Sequence, residues 1–195
     1  MSGSYFAIFD TAIGRCGIAW SAAGIAAVRL PEADVAAMRE SLKRSVPGAI
    51  EAPPTADVAK AIAGIVALLS GERRDLRDIL VDERGVPAFN RRVYAIVRQI
   101  PPGKTMTYGE VAEQLGDKSL ARAVGQAMGE NPTPIVMPCH RVLAAGSKEG
   151  GYRVGGFSAP GGAATKLRLL TIEGAEPGEP TLFGDLPLAL APHRR

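Results

Sequence analysis

Asn131-Pro132-Thr133-Pro134-Ile135-Val136-Met137-Pro138-Cys139-His140-Arg141-Val142 is the stretch from which the rest of the chain is read. Prolines stiffen it, and the apolar run Ile135-Val136-Met137 implies a buried strand or extended segment. Pro138 fixes its own φ and biases Met137 towards an extended conformation, so Cys139 is held on a rigid approach. A cysteine is a good nucleophile only as the thiolate, and a nearby imidazole is a common device for taking its proton. Adjacent side chains of a uniform strand point to opposite faces. Contact between Cys139 and His140 therefore requires a turn here, or a water between the two groups.

Outward from this stretch, the upstream flank reads as helices. Ala88 to Gln99 carries an apolar stripe of Phe89, Val93, Ile96 and Val97, and Pro101-Pro102-Gly103 stops it. Thr107 is a good N-cap for a helix to Leu115, with Glu110 placed to complete a capping box. Gly116 ends that helix, and Ser119 caps the next, from about Leu120 to Met128. The pair has helix-turn-helix form. Its second helix sets Ala121, Ala123, Gly125 and Ala127 around Arg122. A helix that reads bases in the major groove usually carries several long polar side chains. A smooth Ala/Gly surface suits close approach in the minor groove, where sequence is poorly distinguished. Downstream, a helix from about Ala164 ends at Glu173.

The first half of the chain has a different texture. Tyr5 to Phe9, Cys16 to Trp20 and Gly24 to Leu30 read as short strands, and their short connections imply antiparallel pairing. Pro31-Glu32-Ala33-Asp34 opens a helix to about Arg44, with acidic residues at its positive end. Pro47 to Pro54 is a loop. Thr55 caps a second helix to about Leu69, with Ile62, Ile65, Val66 and Leu69 on one face. Asp78 to Asp82 is a candidate further strand. Nothing in this half looks catalytic, and it reads as a scaffold. With a linker near Glu83 to Pro87, the chain divides into a scaffold domain at 1–84, a reactive domain at 85–175 and a tail at 176–195.

The chain has 195 residues, enough for one large or two small domains, and 46% hydrophobic with 22% charged residues is a globular, soluble composition. No apolar run approaches the ~20 residues of a membrane span. The start, Met1-Ser2-Gly3-Ser4-Tyr5, lacks the features of a signal peptide. Cys16 and Cys139 with no export signal point to reduced thiols in the cytoplasm. His140 and His193 are the only histidines, too few for a Cys/His zinc cluster. Residues 1–85 carry ten basic and eleven acidic side chains, whereas residues 86–175 carry eleven and six. The basic excess therefore lies in the half with Cys139, where it favours a polyanionic partner.

Several blocks together carry a family resemblance. They are Thr107-Tyr108-Gly109-Glu110-Val111-Ala112, Ala121-Arg122-Ala123-Val124-Gly125, Asn131-Pro132, Pro138-Cys139-His140-Arg141-Val142, Gly151-Tyr152 and Leu169-Leu170-Thr171-Ile172-Glu173-Gly174. In order and spacing, from about Phe89 to Ala175, the chain resembles the O6-alkylguanine-DNA alkyltransferases, or methylated-DNA–protein-cysteine methyltransferases. The resemblance implies an α/β (α+β) fold, with a ribonuclease H-like antiparallel sheet and helices first and a winged helix-turn-helix domain after it. It implies irreversible transfer of the alkyl group of O6-alkylguanine in double-stranded DNA to Cys139, once per chain. O4-alkylthymine is a further candidate substrate. No cofactor, metal or membrane is implied, and the protein is expected to act as a monomer.

The same resemblance assigns roles. Arg122 fills the space left by a flipped-out base, with Ala121, Ala123, Gly125 and Tyr108 also at the DNA. Tyr108 donates its proton to guanine N3, and Asn131 braces the turn before the cysteine. Glu173 orients His140, which accepts the thiol proton through a water. Arg141, by its own chemistry and not by the resemblance, is expected to tie down neighbouring carbonyls. Pro134, Val142, Tyr152, Arg153 and Val154 line the substrate pocket. The departure from the family pattern is an insertion of several residues, Arg153 to Ala163, where relatives pass quickly into the last helix. It puts Arg153 or Val154 where a serine contacts the guanine O6 in relatives, with Phe157 as a core anchor and a roomy pocket as the outcome. Two readings from other classes remain: a Cys-His-Glu hydrolase or acyltransferase that turns over, and a non-catalytic binder of alkylated DNA, against which Cys139 itself argues. A winged-helix regulator is a third, for which an Ala/Gly helix is poor material.

Overall fold

Tight turns fold the start of the chain into an antiparallel meander of β1 (Tyr5–Thr11), β2 (Gly14–Ser21) and β3 (Gly24–Arg29). The computed structural model describes residues 3–147 and 150–175, with backbone alone at 147 and 150–153; the tail from 176 to 195 lies outside the described residues. Gly24 turns the chain with φ 125°, and a Cβ there would lie 2.6 Å from the Leu80 carbonyl oxygen, so glycine is required on both counts.

Alternation along β2 sends Cys16, Ile18 and Trp20 to one face of the sheet and Ala19 to the other. Helix α1 (Val35–Ser45) covers the second face with Met38 and Leu42. Its cap is Asp34, whose carboxylate accepts from the Ala37 N–H at 2.8 Å, so the acidic residue expected in the first turn sits just before it. Helix α2 (Ala56–Leu69) covers the first face with Val58, Ala61, Ile65 and Leu68, capped by Thr55 as expected. Ile62 and Val66 are only half-buried. The buried face is rotated because Leu76 packs against Gly64, where a Cβ would come within 2.9 Å of it. The loop after α1 contains a two-residue strand, β4 (Ile50–Glu51), parallel to β1, giving the sheet order β3-β2-β1-β4. Of the candidate strand at Asp78 to Asp82, one bridge between Val81 and Ile25 forms.

The second half packs α3 (Ala88–Val97), α4 (Tyr108–Gln114) and α5 (Ala121–Gly129) around Val93, Tyr94, Val97, Val111, Val124 and Met128. The Thr107–Glu110 capping box is present. A 3-10 turn at Lys118–Leu120 precedes α5, and its cap is Asp117, accepting from the Ser119 N–H at 2.8 Å, in place of the expected Ser119. A short aspartate side chain reaches the backbone two residues on as readily as a serine caps its own helix. Strand β5 (Met106–Thr107) pairs in parallel with β6 (Val142–Ser147), which turns back antiparallel into β7 (Gly150–Arg153), forming a small wing beside the helix pair. Helix α6 (Gly162–Ile172) closes the described chain.

The stretch from Asn131 to Val142 joins the two halves. Ile135 and Val136 enter the core beneath the sheet, and Met137, Cys139 and Val142 enter the core of the helices. The expected extended run is instead a tight turn. Ile135 has φ 75°, and the Met137 N–H returns to the Thr133 carbonyl at 2.8 Å. A β-branched residue in that region costs roughly 1–3 kcal/mol. Burial of the run in both cores offsets that cost.

Candidate active site

The turn ends in a 3-10 segment at Cys139–Arg141 that sends three successive side chains into three different environments. Cys139 lies almost fully buried in the helical core. Asn131, two residues past the end of α5, reaches across the turn. Its amide nitrogen donates to the Met137 carbonyl at 2.8 Å and lies 3.1 Å from Cys139 Sγ, while its oxygen accepts from the Thr133 N–H at 3.0 Å. Burial pushes the Cys139 thiol up, opposed by the Asn131 bond, the Lys166 charge and the N–H groups of Cys139 and His140. The resting group is thus a thiol that needs a base, surrounded by donors that favour the anion once it forms.

The base is next in sequence. His140 is fully buried, and its Nε2 lies 2.8 Å from Glu173 Oε1. A carboxylate at that distance fixes the tautomer with the proton on Nε2. Nδ1 is then the acceptor, and it has no hydrogen-bond partner among the described residues. Burial holds the ring neutral, with Arg141 and Lys166 nearby, and this outweighs the pull of Glu173. Burial alone would raise the Glu173 carboxyl, but the hydrogen bond from His140 and the charge and bonds of Arg141 hold it down to about 2. Arg141 grips that carboxylate with Nε and Nη2, each at 2.8 Å, and donates Nη1 to the Ile100 carbonyl at 2.6 Å. A carboxylate at a helix C-terminus opposes the macrodipole, and the guanidinium fork supplies the compensation. Arg141 thus does more than tie down carbonyls.

Lys166 was not singled out by sequence reasoning. It is buried on α6, donates Nζ to the Val142 carbonyl at 2.6 Å, and lies 5.6 Å from the centre of the Tyr108 ring. Burial lowers it to about 8, against the opposing influence of Cys139. Its one legible signal was a lysine interrupting the apolar side of the last helix. Tyr108, the first residue of α4, is half-buried; burial and then the Cys139 charge push its hydroxyl up, so it holds its proton.

Cys139 opens into a cavity of about 350 Å³ lined by Asn131, Pro134, Phe157, Ser158, Ala159 and Pro160 and, from the first half, by β3 and α1 residues. Of the expected pocket residues Pro134 is there. Val142, fully buried, and Val154, half-buried, both lie outside the lining. The side chains of Tyr152 and Arg153 lie outside the described residues. The inserted residues lengthen the approach from the wing, so Phe157 to Pro160 form the wall instead. On α5, Ala121, Ala123 and Gly125 are half-buried and Arg122 is exposed, with no hydrogen bond to the described residues. Gly125 faces the Tyr108 ring, and a Cβ there would stand 3.9 Å from it, in ordinary contact. No three His, Cys, Asp or Glu side chains among the described residues gather as a metal site, and no described helix is long and apolar enough to cross a membrane.

A buried cysteine with a carboxylate-oriented imidazole beside it, set behind a helix pair with a small-residue face, defines a class: single-cysteine group-transfer proteins. Residues 88–175 match the family model described as 6-O-methylguanine DNA methyltransferase, DNA binding domain. A methylated-DNA–protein-cysteine methyltransferase of Mycolicibacterium paratuberculosis is 44% identical over 129 residues, covering 64% of this chain and 73% of that one. Its counterpart in Methanothermobacter thermautotrophicus is 34% identical over 158 residues, covering 81% and 78%. The crystal structure of the Mycobacterium tuberculosis protein OGT in complex with DNA superposes with a TM-score of 0.67 at 29% identity, covering 87% of this chain and 92% of that one. The chain belongs to the methylated-DNA–protein-cysteine methyltransferase family.

Proposed function

We propose that the protein repairs DNA by moving the alkyl group of O6-alkylguanine irreversibly to Cys139, once per chain. The observation that carries this reading is the pairing of a buried Cys139, contacted by the Asn131 amide, with a His140–Glu173 couple that leaves His140 Nδ1 free to accept a proton. His140 takes the thiol proton through a water, and the imidazolium so formed is stabilised by Glu173. The sulfur attacks the alkyl carbon and the C–O bond breaks. Tyr108 gives its proton to guanine N3 as the purine leaves. Lys166, close to the ring of Tyr108, supplies positive charge at the same place. The partner is double-stranded DNA, met by the small-residue face of α5, and exposed Arg122 occupies the stack while the base is flipped out. Residues 85–175 then form the reactive domain and 1–84 its support. A thioether is not cleaved by water, so the chain is consumed as a monomeric reagent. The cytoplasm, where thiols stay reduced, is the expected compartment.

Intact mass after incubation with duplex DNA containing O6-methylguanine tests this. One added methyl group per chain, mapped to Cys139, is the expected result. Cys16 should stay unlabelled, because burial pushes its thiol to about 11 and Thr11 is its hydrogen-bond partner. Cys139→Ser should abolish transfer and keep DNA binding, since a neutral hydroxyl is a poor nucleophile. Multiple turnovers would establish a hydrolase or acyltransferase instead.

A further inference from the structure

The nucleophile is held in part from the other half of the molecule. β3 lies at the edge of its sheet, and it is not left open. The Ile25 N–H donates to the Leu80 carbonyl at 2.9 Å, and the Val28 N–H donates to the Pro132 carbonyl at 2.9 Å. In a regular strand, residues three apart turn their N–H groups to opposite edges. Here Ala27 pairs with Ala19 and Ile25 pairs with Trp20, leaving Ala26 as an extra residue. That bulge turns Ile25 and Val28 to the same edge. The following residue adds a second bond to the same oxygen. Arg29 Nη1 donates to Pro132 O at 3.2 Å and to Val28 O at 2.8 Å, and its Nη2 donates to Ser45 Oγ at the end of α1. Ser45 Oγ in turn donates to the Ser41 carbonyl at 2.7 Å. Pro132 directly follows Asn131, whose amide lies on Cys139 Sγ. Val28, Arg29, Ser41 and Ser45 also wall the cavity into which Cys139 opens.

We propose that Arg29, seated beside the β3 bulge, is a positioning residue for the reaction: it fixes the Asn131-Pro132 turn and so keeps the Asn131 amide on the Cys139 sulfur. The N-terminal half is then part of the nucleophile's support and not only a scaffold. An N–H donor on sulfur favours the thiolate, so a loosened turn makes Cys139 harder to ionise and slower to react at neutral pH. The proposal deepens the alkyl-transfer reading, but it is testable without a purine.

The test uses the full chain and Arg29→Met, which removes the guanidinium and keeps an apolar stem. Alkylation of Cys139 by iodoacetamide is followed by mass against pH, and the rate with O6-benzylguanine as free base is measured beside it. The midpoint of the pH profile is expected to rise by about half to one unit, with a roughly three- to tenfold slower reaction below it. The free-base rate should fall in parallel. In an Asn131→Ala background, adding Arg29→Met should change nothing further, because both act on one contact. Ser45→Ala, a milder change at the far end of the guanidinium, should move the midpoint in the same direction by less. Arg29→Lys, which restores a donor towards Pro132, should recover part of the loss. An unmoved midpoint in Arg29→Met and Ser45→Ala, or fully additive effects with Asn131→Ala, overturns the proposal. A wild-type chain that ignores the purine while the iodoacetamide shift appears would overturn the alkyl-transfer reading and uphold this one.

Discussion

At the scale of single residues, the site is governed by how one carboxylate is shared. Glu173 accepts from His140 and from both sides of the Arg141 fork while buried. Its carboxyl is held at about 2 against an ordinary 4.5. A carboxyl depressed on folding contributes stability that is present above its unfolded value and lost as pH falls through the folded one. The contribution of Glu173 is therefore complete above about pH 4.5 and lost on acidification towards 2. Glu173→Gln keeps the shape but leaves Arg141 buried without its counter-charge, and breaking such a pair costs about 3–5 kcal/mol. Urea unfolding should show that deficit at pH 7 and show it shrinking between pH 4.5 and 2. A deficit independent of pH would mean that Glu173 acts through packing alone. Cys139 and His140 could be singled out because they stand side by side in the sequence, and Glu173, 33 residues further on, was named through the family resemblance. Lys166 and the Phe157-Ser158 wall were not legible, because only the tertiary fold brings α6 and its preceding loop to the cysteine.

At the scale of elements, local chemistry decided what could be read. Thr55 and the Thr107–Glu110 box announce their helices through side-chain oxygens next to backbone N–H groups. The two residues of β4 and the extra residue in β3 carry no periodic pattern, since their pairing partners are distant in sequence. The turn at Ile135 escaped because its apolar residues, read as a strand, divide between two cores that only the folded chain creates. Helix α5 gives the element-level expectation for function. Its exposed Arg122 is proposed to occupy the base stack, a task that a free base does not require. Arg122→Ala should slow repair of duplex DNA far more than reaction with O6-benzylguanine. Equal losses on both substrates would remove the residue from that role. The loop before α6 gives another. Its wall residues Ser158, Ala159 and Pro160 are small or compact around a cavity of about 350 Å³. A benzyl group should therefore react at least as fast as methyl in the free bases, whereas a pocket closed by the loop would cost it about 10–200-fold.

At the scale of the whole molecule, the two halves share structure and do not merely touch. Ile135, Val136 and Leu169 are built into the core beneath the N-terminal sheet, although they belong to the half that carries the cysteine. Polar ties reinforce the exchange. Arg98 donates Nη2 to the carbonyls of Ile79 at 2.7 Å and Arg77 at 3.1 Å, and Arg168 reaches the Ala12 carbonyl at 3.1 Å in the first turn. The positioning chain from β3 to Asn131 runs through the same boundary. Separating the halves would expose those apolar side chains and strand carbonyls that now have charged donors, each worth about 1.5–3 kcal/mol. The halves should therefore unfold together. Trp20, the only tryptophan, lies in the N-terminal core, and Cys139 lies in the helical one, so each half has its own reporter. Tryptophan fluorescence and thiol accessibility of Cys139 should follow one urea transition with a common midpoint. Arg98→Ala should lower that midpoint for both reporters equally. Two separated midpoints would show that the helical half stands without the sheet, and the active-site turn would then have to hold its shape unaided.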